Sequence, residues 1–107
     1  MFTLFYYANT IQHTMKIHKL QNSINKLQST SEIKSFLYDL CTPSELKALE
    51  ERWIVAQYLY EGKLSYREIS DKVGSSTTTV TRVARFLFNE KNKGYEKLLK
   101  RILKNEK

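Results

Sequence analysis

SYREISDKVGSSTTTVTRVAR, residues 65–85, reads as two short helices joined by a tight turn. Ser65 can cap the first helix, and Glu68 stands three residues later to complete a capping box. Leu64, just before the cap, can pack on Ile69 as a hydrophobic staple. Gly74 supplies the turn, because a left-handed backbone there costs glycine no Cβ clash. Ser75 or Ser76 then caps a second helix whose inward positions are Val80 and Val83, with Ala84 and Leu87 alongside. Ile69, Val73, Val80 and Val83 close into one small core only if the two helices cross steeply, and the small Ser70 leaves room for that crossing. This is helix-turn-helix geometry. The outer face of the second helix shows Thr77, Thr78, Thr81, Arg82 and Arg85. These side chains offer hydroxyl and guanidinium donors and methyl groups, with no carboxylate among them, which suits the edges of DNA bases.

The rest of the chain agrees with a polyanionic partner. Of the formal charge of +7, residues 1–61 contribute nothing, with six Lys/Arg against six Asp/Glu. Residues 62–107 carry twelve Lys/Arg against five Asp/Glu, so the whole excess lies in the half that holds the helix pair. A basic half by itself is equally a solvated, solubilising face; joined to the motif it points to nucleic acid. The single Cys41 excludes an internal disulfide framework and fits a reducing cytoplasm, where it reads as a small apolar group. His13 and His18 lack cysteine or carboxylate partners at ligand spacing, so no zinc site is expected, and no cofactor is expected either. No apolar run reaches the roughly 20 residues of a membrane span. No nucleophile–base pair is present either, so the chain does not read as an enzyme.

Residues 1–14, MFTLFYYANTIQHT, are apolar, aromatic and uncharged, and lack the pattern of a signal peptide. They are expected to be an upstream extension or loose tail with Met15 as the true start, the competitor being a partner-binding arm. Ile17, Leu20, Ile24 and Leu27 recur at steps of three, four and three, which predicts a helix from Met15 to Gln28 with a seam of coiled-coil type. Ser29 and Glu32 form another capping box, opening a helix with Ile33, Phe36, Leu37 and Leu40 on one face. Thr42-Pro43-Ser44-Glu45 combines cap, N1 proline and N3 glutamate in one helix start. The helix it opens is expected to run to Glu61, stop at Gly62, and be apolar nearly all round. Leu46, Leu49, Trp53, Ala56 and Tyr60 make one stripe, and Ile54, Val55, Tyr58 and Leu59 occupy other sides. So much apolar surface on a short chain calls for partner chains. A last helix carries Tyr95, Leu98, Leu99, Ile102 and Leu103 beside six basic residues between Lys93 and Lys107. With no strand pattern or repeat, the chain reads as all-α with about six helices, and residues 15–107 as a single domain.

From about Asn22 to Leu103 the chain resembles the Trp repressor superfamily, and within it the small TrpR-like proteins of the YerC/YecD type. The resemblance rests on Leu40-Cys41-Thr42-Pro43, the long helix through Arg52, Glu61-Gly62-Lys63-Leu64-Ser65, Val80-Thr81-Arg82-Val83 and Gly94-Tyr95-Glu96. It implies an intertwined all-helical homodimer that docks its second motif helix in the major groove, Trp repressor being a standard instance of that mode. The family's regulator sets its DNA-reading heads with bound tryptophan. The resemblance implies that Thr42, Arg52 and Arg82 are retained pocket positions. It also places Val83 where the regulator has a glycine that admits the indole, and Phe86 where it has a serine that holds the amino group. Val83 is expected to fill the slot, and Phe86 cannot accept a hydrogen bond from an ammonium, whose unpaired burial costs at least about 1–3 kcal/mol. Tryptophan is therefore not expected as a ligand.

The resulting expectation is a cytoplasmic, sequence-specific DNA-binding regulator of repressor type, a homodimer on double-stranded DNA and nucleoid-associated when bound. Its interface is expected to use Tyr66, Arg67, Lys72, Ser75, Ser76, Thr77, Thr78, Thr79, Thr81, Arg82 and Arg85. An RNA-binding or purely structural helical protein is the alternative, and the hydroxyl-rich face lacks the aromatic stacking that readers of single-stranded RNA use.

Overall fold

The computed structural model describes residues 15–106, so expectations for residues 1–14 lie outside it. Six helices follow one another: α1 Leu20–Ile24, α2 Thr30–Leu40, α3 Pro43–Glu61, α4 Tyr66–Val73, α5 Thr77–Phe88 and α6 Gly94–Glu106. The described residues contain no strand, so the all-α expectation holds. The described residues group into two units, one ending at Phe36 and one beginning at Leu37.

In the first unit the sequence overstates the helix. The expected span from Met15 to Gln28 contracts to the five residues of α1. Its N-cap, Lys19, makes no side-chain cap bond, and no residue of α1 is buried. Ile17 is 88% exposed and Leu20 and Ile24 are exposed as well, so the described residues leave most of the apolar seam uncovered. A short helix without a tertiary surface is marginal in water, which accounts for the contraction. The start of α2 also differs in detail. The Glu32 N–H donates to Ser29 Oγ at 3.1 Å, but the Glu32 carboxylate accepts from the N–H of Gln28 rather than from that of Ser29.

The second unit is organised on α3. Its start is as the sequence predicts: the Glu45 N–H donates to Thr42 Oγ1 at 3.2 Å, and the Thr42 N–H donates to the Glu45 carboxylate at 2.8 Å. The helix ends at Gly62, where φ is +76° and the N–H reaches the Tyr58 carbonyl. Only Val55, Ala56 and Leu59 of α3 are buried within the single chain, so most of the apolar girth expected of this helix is left uncovered by its own chain. The reason is material: α3 packs against α4, α5 and α6, and three short helices cover one side of a 19-residue helix.

The core joins those three residues to Ile69 of α4, Val80, Val83, Ala84 and Leu87 of α5, and Leu99 of α6. Leu64 and Val73 pack on its margin, as do Trp53 and Tyr95, whose rings stack across α3 and α6 with centroids 6.2 Å apart. The link from α5 to α6 ends at Lys93, which takes a left-handed φ of 62°. On α6 the Lys100 ammonium reaches the Glu96 carboxylate at 3.0 Å and holds that carboxyl below the usual range, while the Lys100 value is raised.

Candidate nucleic-acid interface

The two helices of the motif are fixed by their ends. At α4 the Ser65 N–H donates to the Glu68 carboxylate at 2.8 Å, and the Glu68 N–H donates to Ser65 Oγ at 3.1 Å. Accepting from the Ser65 backbone, and secondarily from its hydroxyl, lowers the Glu68 carboxyl below its ordinary value. Gly74 closes α4 at φ +82°, its N–H bonded to the Ser70 carbonyl. A Cβ built at Gly74 meets no atom within 4 Å. The turn therefore selects glycine by backbone conformation and not by lack of room. The Ser70 hydroxyl crosses the turn and donates to the Ser75 carbonyl, which ties the end of α4 to the approach to α5.

These bonds sort the hydroxyl-rich run into separate roles. Ser76 is the N-cap of α5: its Oγ accepts from the Thr79 N–H at 3.1 Å and lies 3.1 Å from Thr79 Oγ1. Ser75, expected at the interface, turns its hydroxyl inward, where it is buried without a hydrogen-bond partner among the described residues. That placement removes it from the outer face. Thr79 is half-buried and its hydroxyl is occupied beside Ser76, so it contributes to the cap before it can contribute to a surface. The Thr81 hydroxyl donates to the Thr77 carbonyl at 2.9 Å. Thr77 and Thr78 keep exposed side chains at the start of the helix.

Five of the expected residues come together. Thr77, Thr78, Thr81, Arg82 and Arg85 line one open depression of about 580 Å³ on the exposed side of α5. They stand at i, i+1, i+4, i+5 and i+8, which is a single helical face. Tyr66 and Arg67 are exposed in the first turn of α4. Lys72 engages the long helix instead, its ammonium 5.8 Å from the centroid of the Tyr58 ring.

Two residues that sequence reasoning left out of the interface, Phe86 and Glu90, organise its arginines. The guanidinium of Arg85 lies 4.9 Å from the Phe86 ring centroid and that of Arg82 lies 6.0 Å from it. Arg85 Nε also faces the Glu90 carboxylate at 3.6 Å. The signal for the Arg82–Phe86 pair was present in its i, i+4 spacing. The turn that brings Glu90 back to Arg85 follows the end of α5 and has no such spacing rule.

Behind this face lies an open, largely apolar-walled cavity of about 450 Å³, lined by Arg52, Trp53, Arg82, Val83, Phe86, Asn92 and Tyr95 among others. Val83 is 1% exposed and belongs to the core, yet the space beside it is open rather than filled. Arg52 and Arg82 share this lining, whereas Thr42 is occupied in capping α3.

A chain whose described residues form six helices, with α4 and α5 a capped helix-turn-helix and hydroxyls and guanidiniums on the outer face of α5, defines a small helix-turn-helix protein. Comparison with known proteins refines that class. Residues 15–103 match the family model described as Trp repressor protein, and the chain belongs to that family. It is 40% identical over 91 residues to the uncharacterized protein YerC of Bacillus subtilis (strain 168), a match covering 85% of this chain and 86% of that protein. The crystal structure of a TrpR-like protein from Eubacterium eligens ATCC 27750 superimposes with a TM-score of 0.71 at 37% identity, covering 78% of this chain and 84% of the other. The chain is thus a TrpR-like protein of the YerC type.

Proposed function

We propose that the protein is a sequence-specific DNA-binding transcriptional regulator of repressor type that acts as a homodimer in the cytoplasm and does not depend on tryptophan. The observation that carries this reading is the α5 face. Five exposed side chains there supply hydroxyls and guanidiniums, with no carboxylate lining the depression, on the half of the chain that holds all the excess positive charge. Such a face can place cations at phosphates and short polar groups at base edges.

Homodimerisation is supported by the apolar surface left on the second unit. Tyr38, Leu40, Leu49, Leu98 and Leu103 are each at least 40% exposed, and a groove between α3 and α6 is walled by Ile54, Tyr58, Leu99 and Ile102. Exposed apolar side chains beside such a groove are surface that a second copy of the chain could cover. Independence from tryptophan is supported by the chemistry of the cavity behind α5. Two guanidiniums suit a carboxylate, whereas the lining offers an amino group no carboxylate, only the neutral oxygens of Asn92 and Tyr95, and the aromatic Phe86 cannot accept from it.

The test is selection of bound fragments from random duplex DNA, followed by titration at several salt concentrations. A selected motif, bound with affinity that falls steeply as salt rises, is the expected result. Binding to no duplex, or preference for single-stranded RNA, would replace this reading with the RNA-binding or structural alternative.

A further inference from the structure

On the α5 face the hydroxyls are not equivalent. Thr81 lines the depression together with Thr77, Thr78, Arg82 and Arg85, and is exposed. Its Oγ1 donates to the Thr77 carbonyl at 2.9 Å. A threonine hydroxyl has one proton, and here the backbone takes it. The staggered geometry at Cβ then puts the methyl in a different well from the oxygen, away from the Thr77 carbonyl. Thr81, exposed on this face, therefore has a methyl group and oxygen lone pairs left to offer, and no donor. Thr77 and Thr78, with no hydrogen bond from either hydroxyl among the described residues, keep their donors.

We propose that Thr81 is a specificity-determining residue that selects thymine through methyl–methyl contact, while hydrogen-bond donation to bases on this face falls to Thr77, Thr78 and the arginines. The proposal rests on the DNA-binding reading above and assigns a task within it. Among the base pairs, thymine alone presents a C5 methyl in the major groove, and a threonine methyl is a suitable apolar partner for it. Arg82 and Arg85, held against the Phe86 ring, stand beside the contact and suit guanine or phosphate.

The test begins with the duplex selected for the wild-type protein and compares wild type, Thr81→Val and Thr81→Ser on it. Each is also measured on duplexes in which single thymines are replaced by deoxyuridine, which removes only the methyl. The expected result is that Thr81→Val binds within about twofold of wild type and Thr81→Ser binds about three- to fivefold more weakly, the effect of one methyl group. One deoxyuridine substitution should weaken wild type by a similar factor and leave Thr81→Ser unchanged. The reverse order, with serine equal to wild type and valine impaired, would overturn the assignment while leaving DNA binding intact. So would a deoxyuridine series in which no position affects wild type, a measurement that needs no variant to fold. Failure of wild type to retain any duplex would overturn both this assignment and the reading beneath it.

Discussion

At the residue scale, the helix ends of the motif are held by single groups whose loss has a definite sign. Gly74 and Gly94 both have open space where a Cβ would stand, but only Gly74 has a positive φ. Gly74→Ala is therefore expected to destabilise the protein by about 1–2 kcal/mol through the left-handed backbone alone. Gly94→Ala, in the first turn of α6, should be neutral or slightly stabilising. Thermal unfolding of the two variants side by side checks the pair, and equal losses would contradict the conformational argument. A second prediction concerns acid. The carboxyl of Glu68 is lowered in the folded state by the Ser65 N–H and hydroxyl. A group whose folded value is depressed contributes stability above its unfolded value, and loses it as pH falls through the folded one. The α4 cap should thus weaken on acidification below the ordinary carboxylate range. Glu68→Gln, neutral throughout but still able to accept the Ser65 N–H, should show a smaller drop in unfolding midpoint between neutral and acidic pH than wild type.

At the element scale, α5 serves two surfaces at once. Its inner face gives Val80, Val83, Ala84 and Leu87 to the core, and its outer face gathers the polar depression. Phe86 stands between them, half-buried, with guanidiniums above its ring and the cavity beside it. Phe86→Leu should keep the apolar volume and remove the π-face that holds Arg82 and Arg85. Contacts of this kind are worth about 0.5–1 kcal/mol at exposed sites. The expected outcome is an affinity loss of about two- to fivefold, similar for selected and unselected duplexes, with little change in unfolding midpoint. A large fall in stability with unchanged binding per folded molecule would show that the ring acts in packing instead.

At the scale of the whole molecule, the apolar surface of α2, α3 and α6 predicts association. The midpoint of unfolding should rise with protein concentration, as it does when folding and assembly are coupled. A folded monomer in sedimentation at micromolar concentration would contradict the dimer. The cavity behind α5 carries the remaining prediction. Adding tryptophan should leave operator affinity unchanged within a few-fold, because the heads are then set by protein side chains and no ligand shifts their population. A tightening of tenfold or more, about 1.4 kcal/mol, would show that the open cavity at Val83 and Phe86 accepts the amino acid after all.

What the sequence determined by itself is local. The caps at Thr42 and Ser65, the stops at Gly62 and Gly74, and the inward set of Ile69, Val80, Val83, Ala84 and Leu87 follow from short-range hydrogen bonding and helical period, and each is found in place. Five residues of the outer face of α5 were legible for the same reason, since one helix fixes their common side. Tertiary structure decided the rest. The seam from Ile17 to Leu27 has a helical period, yet a period gives no surface to pack on, and α1 keeps only five residues. The apolar girth of α3 could not say which sides its own chain covers, and only Val55, Ala56 and Leu59 are buried. Ser75 and Ser76 are adjacent and chemically identical; the path of the turn sends one hydroxyl inward and makes the other the cap. The space left beside Val83 and Phe86 depends on how α5 and α6 lie against α3, through contacts between residues far apart in the chain that no local pattern encodes.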